Sequence, residues 1–287
     1  MKIFKFGGAS IKDAEGVKNV ASIIKNEGAK DTLVVISAMG KITNAFEEVV
    51  DAYFTKSDEL PNKLTFIEEY HKNIMSSLFD KEDAVYRDVD ILFGELGWFL
   101  ARNASQRYNY VYDQIICFGE LLSSRIVSAY LSKIGTENSW FDVRNYIKTD
   151  SNYRDAKVDW ELTEAIIIKK VDATKINITQ GFIAANDTEN TTTLGREGSD
   201  YTAGIFAYCL NAESVTIWKD VEGVLNADPR VFTDTTLLEQ ISYEEAIEMA
   251  FYGASVIHPK TLQPLQKKEI PLLVRSFLNP KETGTKV

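Results

Sequence analysis

Short apolar runs alternate along the chain with segments in which apolar residues recur every three or four positions. Runs at residues 3–6 and 32–37 are typical of buried strands, and residues 14–26 have the periodicity of a helix facing a core. Further strand-like runs follow at residues 139–143, 176–184, 214–218 and 271–277, with helical segments near 162–170, 200–210 and 243–252. This alternation predicts an α/β fold with a mostly parallel sheet covered by helices. The polar tail at 279–287 is expected to be an exit segment rather than a strand.

The middle of the chain, from about residue 43 to residue 131, is almost entirely helical in pattern. One apolar stripe contains Leu64, Ile67 and Ile74, and a second contains Leu92 and Leu96. Stripes of this kind usually face a core. We therefore predict a helical insertion, or lid, within a single α/β domain that spans residues 1–287.

Composition narrows the possible functions. The chain has 287 residues, of which 45% are hydrophobic and 26% charged, so it is expected to fold. Its length alone would allow two domains or one large one. The formal net charge of −10 argues against a partner that is a nucleic acid or an anionic membrane.

The cysteines and histidines suggest neither a metal site nor a disulfide framework. Cys117 and Cys209 are far apart in sequence, and reduced, buried thiols are the simplest expectation. His71 is expected at a surface or boundary, and His258 before a proline is expected to fix a turn. The first apolar run is too short for a secretory signal, and no apolar run reaches transmembrane length, so we expect a cytoplasmic protein.

Four polar motifs each follow a predicted strand, where ligands gather in open α/β sheets. The first, KFGGAS, contains Lys5 and the pair Gly7-Gly8, whose backbone N–H groups could approach an anion. The chain contains neither a Walker A motif nor GxGxxG, which argues against a P-loop NTPase and a standard dinucleotide-binding enzyme. The second, residues 37–44, is rich in small and hydroxyl side chains and could equally supply a helix cap at Thr43 or Asn44.

The third and fourth motifs open predicted helices. Glu120 follows Phe118-Gly119 and could receive an ammonium group, although a carboxylate in a first turn is also stabilised by the helix dipole alone. Residues 191–203, TTTLGREGSDYTA, bring three threonines, an arginine and an aspartate to the start of an apolar helix. Ser199 or Asp200 is expected to cap that helix. A loop this rich in hydrogen-bond donors favours a binding function.

In this order, the motifs KFGGAS, ISAMGKITN, FGE, TTTLGREGSDYTA, WKDVEGV…ADPR and YGASVIHPKTL resemble those of aspartate kinases in the amino-acid kinase superfamily. The resemblance covers essentially the whole chain. It implies a three-layer αβα sandwich and transfer of the ATP γ-phosphoryl group to the β-carboxylate of L-aspartate. The product would be 4-phospho-L-aspartate, the first intermediate toward lysine, threonine and methionine. Mg²⁺ would arrive with the nucleotide, so we expect no dedicated metal cluster.

The resemblance also implies roles for individual residues. Lys5 and Asp200 would be catalytic, with Asp200 orienting the cations around the phosphate. The aspartate site would comprise Ser37, Thr43, Glu120, Phe182 and Arg196, with Glu120 accepting the α-ammonium group and Arg196 pairing with the α-carboxylate. The ATP site would comprise Lys5, Gly7, Gly8, Lys219, Asp220, Leu225, Arg230 and Ser255.

The chain departs from the family pattern at three positions. Ala9 replaces a threonine. Lys219 stands where many bacterial members have threonine, and Ser255 stands where they have lysine, whereas plant-type members resemble this chain at both positions. We hypothesise a charge swap, in which Lys219 supplies the cation that Ser255 does not.

Other functions remain open at this stage. Acetylglutamate kinase and glutamate 5-kinase are rivals within the superfamily, and a catalytically silent regulatory or binding subunit is a rival of another class. Aspartate kinases usually continue beyond a segment like residues 279–285 into ACT regulatory domains, and we expect none in this chain, which would be a catalytic fragment or a kinase without its own allosteric module. A homodimer is expected by analogy with the family.

Overall fold

The structure is a computed structural model that describes residues 1–28, 30–228, 231–252 and 257–287. A seven-stranded sheet in these residues has the order β3-β4-β2-β1-β7-β8-β9, and β5 and β6 form a separate antiparallel pair. Every neighbouring pair in the large sheet is parallel except β8 and β9. The strands are β1 (Lys2–Phe6), β2 (Thr32–Ile36), β3 (Asn138–Trp140), β4 (Ile176–Gln180), β5 (Ile183–Ala185), β6 (Thr191–Thr193), β7 (Ser214–Lys219), β8 (Leu272–Ser276) and β9 (Thr285–Lys286).

Helices cover the sheet and supply most of the remaining core. They are α1 (Ala14–Glu27), α2 (Ile42–Thr55), α3 (Leu60–Ser76), α4 (Val85–Arg102), α5 (Tyr108–Ile116), α6 (Phe118–Lys133), α7 (Trp160–Lys170), α8 (Gly198–Leu210), α9 (Tyr243–Phe251) and α10 (Pro259–Lys267). Short 3-10 helices lie at Gly8–Ile11 and Val143–Asn145. All five residues of β2 are buried, as expected for a strand with helices on both faces. The predicted α/β fold with a mostly parallel sheet is confirmed.

Two helices pack directly on the large sheet and position the polar motifs. Helix α6 packs on β2, β3 and β4 and contacts α1, while α8 packs on β1, β2 and β7 and contacts α7 and α10. Both are buried on several sides, and the polar residues on their buried faces are mostly small. An 18-residue segment within Tyr108–Lys133 is apolar enough to cross a membrane, with a mean hydropathy of 1.3, but 78% of that segment is buried inside the protein. Its apolar surface is therefore used in this core.

The predicted helical insertion corresponds to α2–α6, between β2 and β3. Because α6 packs on the sheet, the last of these helices belongs to a layer of the sandwich. The role of the other helices as a lid stays a prediction.

One predicted strand is divided in the structure. Residues 176–184 do not form a single strand, because the chain turns at Gly181 and Phe182, which has a positive φ of 70°. A Cβ at Gly181 would lie 2.5 Å from the Ser199 side chain, so only glycine allows this close approach to α8. The turn directs β5 away from the large sheet and toward β6.

Two other expectations are wrong. The polar tail does contain a strand, β9, which pairs with β8 through Val274 and Thr285. Thr285 anchors it, since its Oγ1 donates to Leu238 O at 2.6 Å and accepts from Val224 N at 2.8 Å. His71 is fully buried rather than peripheral; desolvation lowers its pKa to about 4, and its Nδ1 lies 2.7 Å from Ile67 O.

Candidate active site

A cavity of about 490 Å³ opens where β1, β2 and β7 end. The loop after β1, the loop after β2 and the first turn of α8 all contribute to its wall. Parallel neighbours end at the same edge of a sheet, so motifs distant in sequence meet there. Nine residues that the sequence analysis selected line this cavity: Lys5, Gly8, Ser37, Thr43, Glu120, Phe182, Arg196, Asp200 and Lys219.

A buried carboxylate, that of Asp200, forms ion pairs with both lysines that line the cavity. Asp200, in the first turn of α8, is 3% exposed, and its Oδ1 lies 2.5 Å from Lys5 Nζ. Its Oδ2 lies 3.8 Å from Lys219 Nζ. The parallel register places Lys5 beside Ile217, so Lys219 lies two residues further along β7. The result is a pair of ammonium groups held at the sheet edge, which suits a polyanion.

The loops after β1 and β2 pack backbone against backbone. Gly40 N donates to Gly8 O at 3.0 Å. A Cβ at Gly8 would lie 2.6 Å from both Ala38 O and Gly40 O, so no larger residue fits at that position. This close packing brings Ser37 to the cavity beside the glycine loop. Helix α2 begins at Ile42 with Lys41 at its N-cap, so neither Thr43 nor Asn44 is the cap.

Glu120 is a buried carboxylate with an incomplete set of partners. It lies in the first turn of α6 and is 3% exposed. Its Oε1 accepts a long hydrogen bond of 3.4 Å from Ala38 N, whereas Oε2 has no hydrogen-bond partner among the described residues. Burial raises the pKa of this carboxyl group to about 8. A buried acceptor in the wall of a cavity without a partner fits a cationic ligand.

Phe182 and Arg196 reach the cavity from loops in unusual conformations. A Cβ at Gly198 would lie 2.7 Å from the Phe182 ring, so the turn after β4 and the start of α8 are in close contact. Arg196 is exposed and lines the cavity just before α8. The N-cap of α8 is Glu197, at φ 52° and without a side-chain capping bond, so the expected caps Ser199 and Asp200 are wrong. Both residues instead line the cavity.

No sequence motif includes Asp113, which is fully buried in α5. Its Oδ2 accepts from Arg154 N at 3.0 Å and from Thr193 N at 2.9 Å, and its Oδ1 accepts from Thr193 Oγ1 at 2.9 Å. Burial raises its pKa to about 6. Asp113 is the only charged residue of α5, between apolar and aromatic neighbours, and this is the signal that could have revealed it.

Asp113 helps to position two cavity residues: Thr193, which belongs to the fourth motif, and Arg154, which no motif includes. Arg154 and Thr193 both line the cavity, and Tyr112, which lies below the Arg154 guanidinium, does so too. The local sequence around residue 154 gives no motif. These residues reach the site through contacts between segments about 40 to 80 positions apart.

The remaining predicted residues do not line this cavity in the described part of the chain. Gly7 is adjacent, since a Cβ there would lie 3.5 Å from Lys5 Nζ. Asp220 is exposed after β7, and Leu225 forms an isolated bridge with Leu237. Arg230 and Ser255 lie outside the described residues. Their assignment to ATP binding stays a prediction.

A larger cavity of about 670 Å³ lies beside α4 and α5. It is lined mainly by apolar side chains, including Trp98 and Phe99, and contains none of the residues selected from the sequence. Arg144 also lines this cavity, but its guanidinium is already paired with Asp142, with Nη2 lying 2.6 Å from Asp142 Oδ2. The concentration of charged groups assigns the chemistry to the smaller cavity.

Known proteins share this fold and much of this sequence. The sequence model described as the amino acid kinase family matches residues 1–276, and the chain belongs to this family. It is 34% identical to the chloroplastic bifunctional aspartokinase/homoserine dehydrogenase 2 of Arabidopsis thaliana over 99% of this chain and 32% of that protein. It is 32% identical to lysine-sensitive aspartokinase 3 of Escherichia coli over 99% of this chain and 63% of that protein.

The fold of the chain is also similar to that of a solved aspartokinase. The crystal structure of E. coli aspartokinase III in complex with aspartate and ADP matches with a TM-score of 0.92 and 31% identity, covering 100% of this chain and 64% of that one. The chain therefore spans between about one third and two thirds of the length of these relatives.

Proposed function

We propose that the chain is the catalytic part of an aspartate kinase, which transfers the γ-phosphoryl group of ATP to the β-carboxylate of L-aspartate. The product is 4-phospho-L-aspartate, which leads to lysine, threonine and methionine. The observation that carries the proposal is the content of one cavity: two lysines around a buried aspartate, and a buried glutamate with an unpartnered oxygen. The relatives named above, one of which was crystallised with aspartate and ADP, support the same reaction.

The phosphoryl transfer requires charge neutralisation more than proton transfer. A β-carboxylate oxygen attacks the γ-phosphorus, the bond from that phosphorus to the β,γ-bridging oxygen breaks, and ADP leaves with its electron pair. The attacking carboxylate is already ionised at neutral pH, so no general base is needed. Lys5 and Lys219 counter the negative charge on the transferring group, and Asp200 fixes their ammonium groups in advance.

The acceptor amino acid is recognised through its two α-substituents. The α-ammonium group donates to Glu120 Oε2, which has no other described partner. Arg196 pairs with the α-carboxylate in a bidentate geometry that lysine could not reproduce. Ser37, Thr43 and Phe182 complete the wall of this pocket.

ATP is the co-substrate and brings Mg²⁺ with it. Among the described residues there is no group of three or more His, Cys, Asp or Glu side chains that could hold a metal ion. The nucleotide contacts proposed for Gly7, Gly8, Asp220, Leu225, Arg230 and Ser255 rest on the family resemblance. Lys219, which lies in the cavity, supplies the cation that Ser255 lacks.

Cytoplasmic location and a homodimer are parts of the same proposal. Both cysteines are buried and free, which is consistent with a reducing compartment. The net charge of −10 continues to disfavour nucleic acid and anionic membranes as partners.

A coupled assay of ADP release tests the proposed function. With ATP and Mg²⁺ present, we expect release with L-aspartate and little with L-glutamate or N-acetylglutamate. Hydroxylamine should trap the acyl phosphate as aspartyl hydroxamate. Preference for acetylglutamate or glutamate would identify another amino-acid kinase, and no release with any acceptor would favour a silent subunit.

A further inference from the structure

Arg154 is a cavity residue in a conformation that its side chain disfavours. Its φ is 72°, in the left-handed region that glycine adopts freely and that arginine seldom adopts. The neighbouring backbone fixes this conformation: Arg154 N donates to buried Asp113 at 3.0 Å, and Ala156 N donates to Thr193 O at 2.9 Å. Such strain persists where the surrounding structure imposes it, and it is concentrated at functional sites.

The guanidinium of Arg154 is placed against an aromatic face. Its Cζ lies 4.3 Å from the centre of the Tyr112 ring and 5.8 Å from that of Tyr108. The Tyr112 hydroxyl donates to Glu47 Oε1 at 2.8 Å, which fixes the ring. Stacking leaves the edge of a guanidinium, with its N–H donors, available for an anion.

No described residue occupies those donors. The guanidinium forms neither a salt bridge nor a side-chain hydrogen bond within residues 1–28, 30–228, 231–252 and 257–287, although Arg154 lines the same cavity as Glu120 and Arg196. By contrast, both lysines of the cavity are within 4 Å of Asp200. A fixed, unpaired guanidinium in a binding cavity suits a carboxylate.

The position of Arg154 indicates which carboxylate it would bind. A Cβ at Gly195 would lie 3.4 Å from Arg154 O and 2.6 Å from Asp155 Oδ1, so the 154–155 segment packs against the loop that carries Arg196. Thr193, two residues before that glycine, shares Asp113 with Arg154. Arg154 therefore belongs with the acceptor-binding residues.

We propose that Arg154 is a specificity-determining residue that binds the α-carboxylate of the acceptor amino acid together with Arg196. This proposal rests on the proposed function and deepens it. A site with two guanidinium groups should select for ligands with an α-carboxylate more strictly than a site with one guanidinium group.

The test compares two ligands across variants by isothermal titration calorimetry without nucleotide. β-Alanine is aspartate without its α-carboxylate. Arg154→Gly should weaken L-aspartate binding about 10- to 100-fold, the usual contribution of a charge-assisted contact, and should change β-alanine binding much less. Arg154→Lys keeps the charge and should lose less affinity than Arg154→Gly. The glycine variant should melt no lower than the parent protein, because glycine removes the backbone strain.

Lys56→Gly is the matched control. Lys56 is exposed at φ 51° after α2 and lies outside the cavity, so this variant loses the same charge and gains the same backbone freedom. It should bind aspartate like the parent protein. If Arg154→Gly kept the aspartate affinity of the parent protein, or lost affinity equally for aspartate and β-alanine, the role proposed for Arg154 would be wrong. Neither result would contradict the proposed function. A parent protein that binds no aspartate would overturn the proposed function and this role with it.

Discussion

Asp200 and Glu120 are in closely similar positions and have opposite surroundings. Each lies in the first turn of a buried helix, each is 3% exposed, and both line the same cavity. Asp200 is within 4 Å of Lys5 and Lys219. Glu120 has one long hydrogen bond from a backbone amide and an oxygen without a described partner.

The difference separates a buried carboxylate whose charge is compensated by two lysines from one without such compensation among the described residues. A helix N-terminus favours a negative charge, yet the pKa of Glu120 is raised to about 8, so desolvation outweighs the helix dipole there. At Asp200 the two lysines supply the compensation that burial demands. A fold retains an uncompensated buried carboxyl group at a cost in stability, which a ligand's ammonium group can offset on binding.

The largest effect should follow removal of Lys5, because it is closest to Asp200 and would contact the transferring phosphoryl group. Lys5→Ala should lower kcat by about 10³-fold or more, as removal of a charge-stabilising group does in other phosphoryl transfers. Steady-state ADP release measures this effect. Lys12→Ala, an exposed lysine outside the cavity, should retain normal turnover. If Lys5→Ala kept the turnover of the parent protein, Lys5 would not stabilise the transferring phosphoryl group.

Lys219 tests the charge swap. Lys219→Ala should lower turnover about 10²- to 10³-fold with little change in melting temperature, because the side chain is one-fifth exposed and lies 3.8 Å from Asp200. Single-turnover kinetics and thermal melts on the same samples separate the two effects. Near-normal turnover would contradict the hypothesis that Lys219 replaces the cation missing at Ser255.

Glu120→Gln tests the unpartnered carboxylate. Loss of the charge should raise KM for aspartate about 10- to 100-fold and leave KM for ATP nearly unchanged, since the ammonium group would lose a charge-assisted partner. Kinetics with each substrate varied in turn measure the two constants. An equal rise in both would place Glu120 outside acceptor recognition.

The sequence motifs predicted Asp200 and Glu120 as site residues, but they did not predict Asp113 and Arg154. Lys5, Glu120 and Asp200 each belong to a motif that follows a strand or opens a helix, and parallel strands bring such motifs together. Asp113 and Arg154 belong to no motif. They join the site through contacts of α5 with distant segments, which local patterns do not contain.

The errors in the predicted fold have the same cause. The turn at Gly181 depends on the close approach of Ser199, and β9 depends on hydrogen bonds between Thr285 and two distant segments. His71 is buried by the packing of its neighbours, which include Phe93. Periodicity predicts which face of an element is apolar, but it does not predict these tertiary contacts.

The last expected effect concerns stability and links Glu120 to pH. Its folded-state pKa of about 8 lies above the ordinary glutamate pKa of 4.5, so the folded protein binds a proton that the unfolded chain releases between these values. Stability contributed by this proton is therefore present below pH 4.5 and is lost as pH rises toward 8. The change is at most about 1.4 kcal/mol per pH unit. Glu120→Gln lacks this titration and should be more stable than the parent protein at pH 8, with a difference that shrinks toward pH 5.

Denaturant unfolding of both proteins across this pH range measures the difference. Glu161→Gln is a matched control, because Glu161 is in the first turn of α7 but exposed, and its effect should not vary with pH in this way. L-aspartate should reduce or reverse this difference at pH 8, since the ligand's ammonium group compensates the carboxylate and stabilises the parent protein, which binds it more tightly, more than the variant. A difference between Glu120→Gln and the parent protein that stays constant from pH 5 to 8 would mean that Glu120 is already compensated within the fold, and the contrast with Asp200 would disappear.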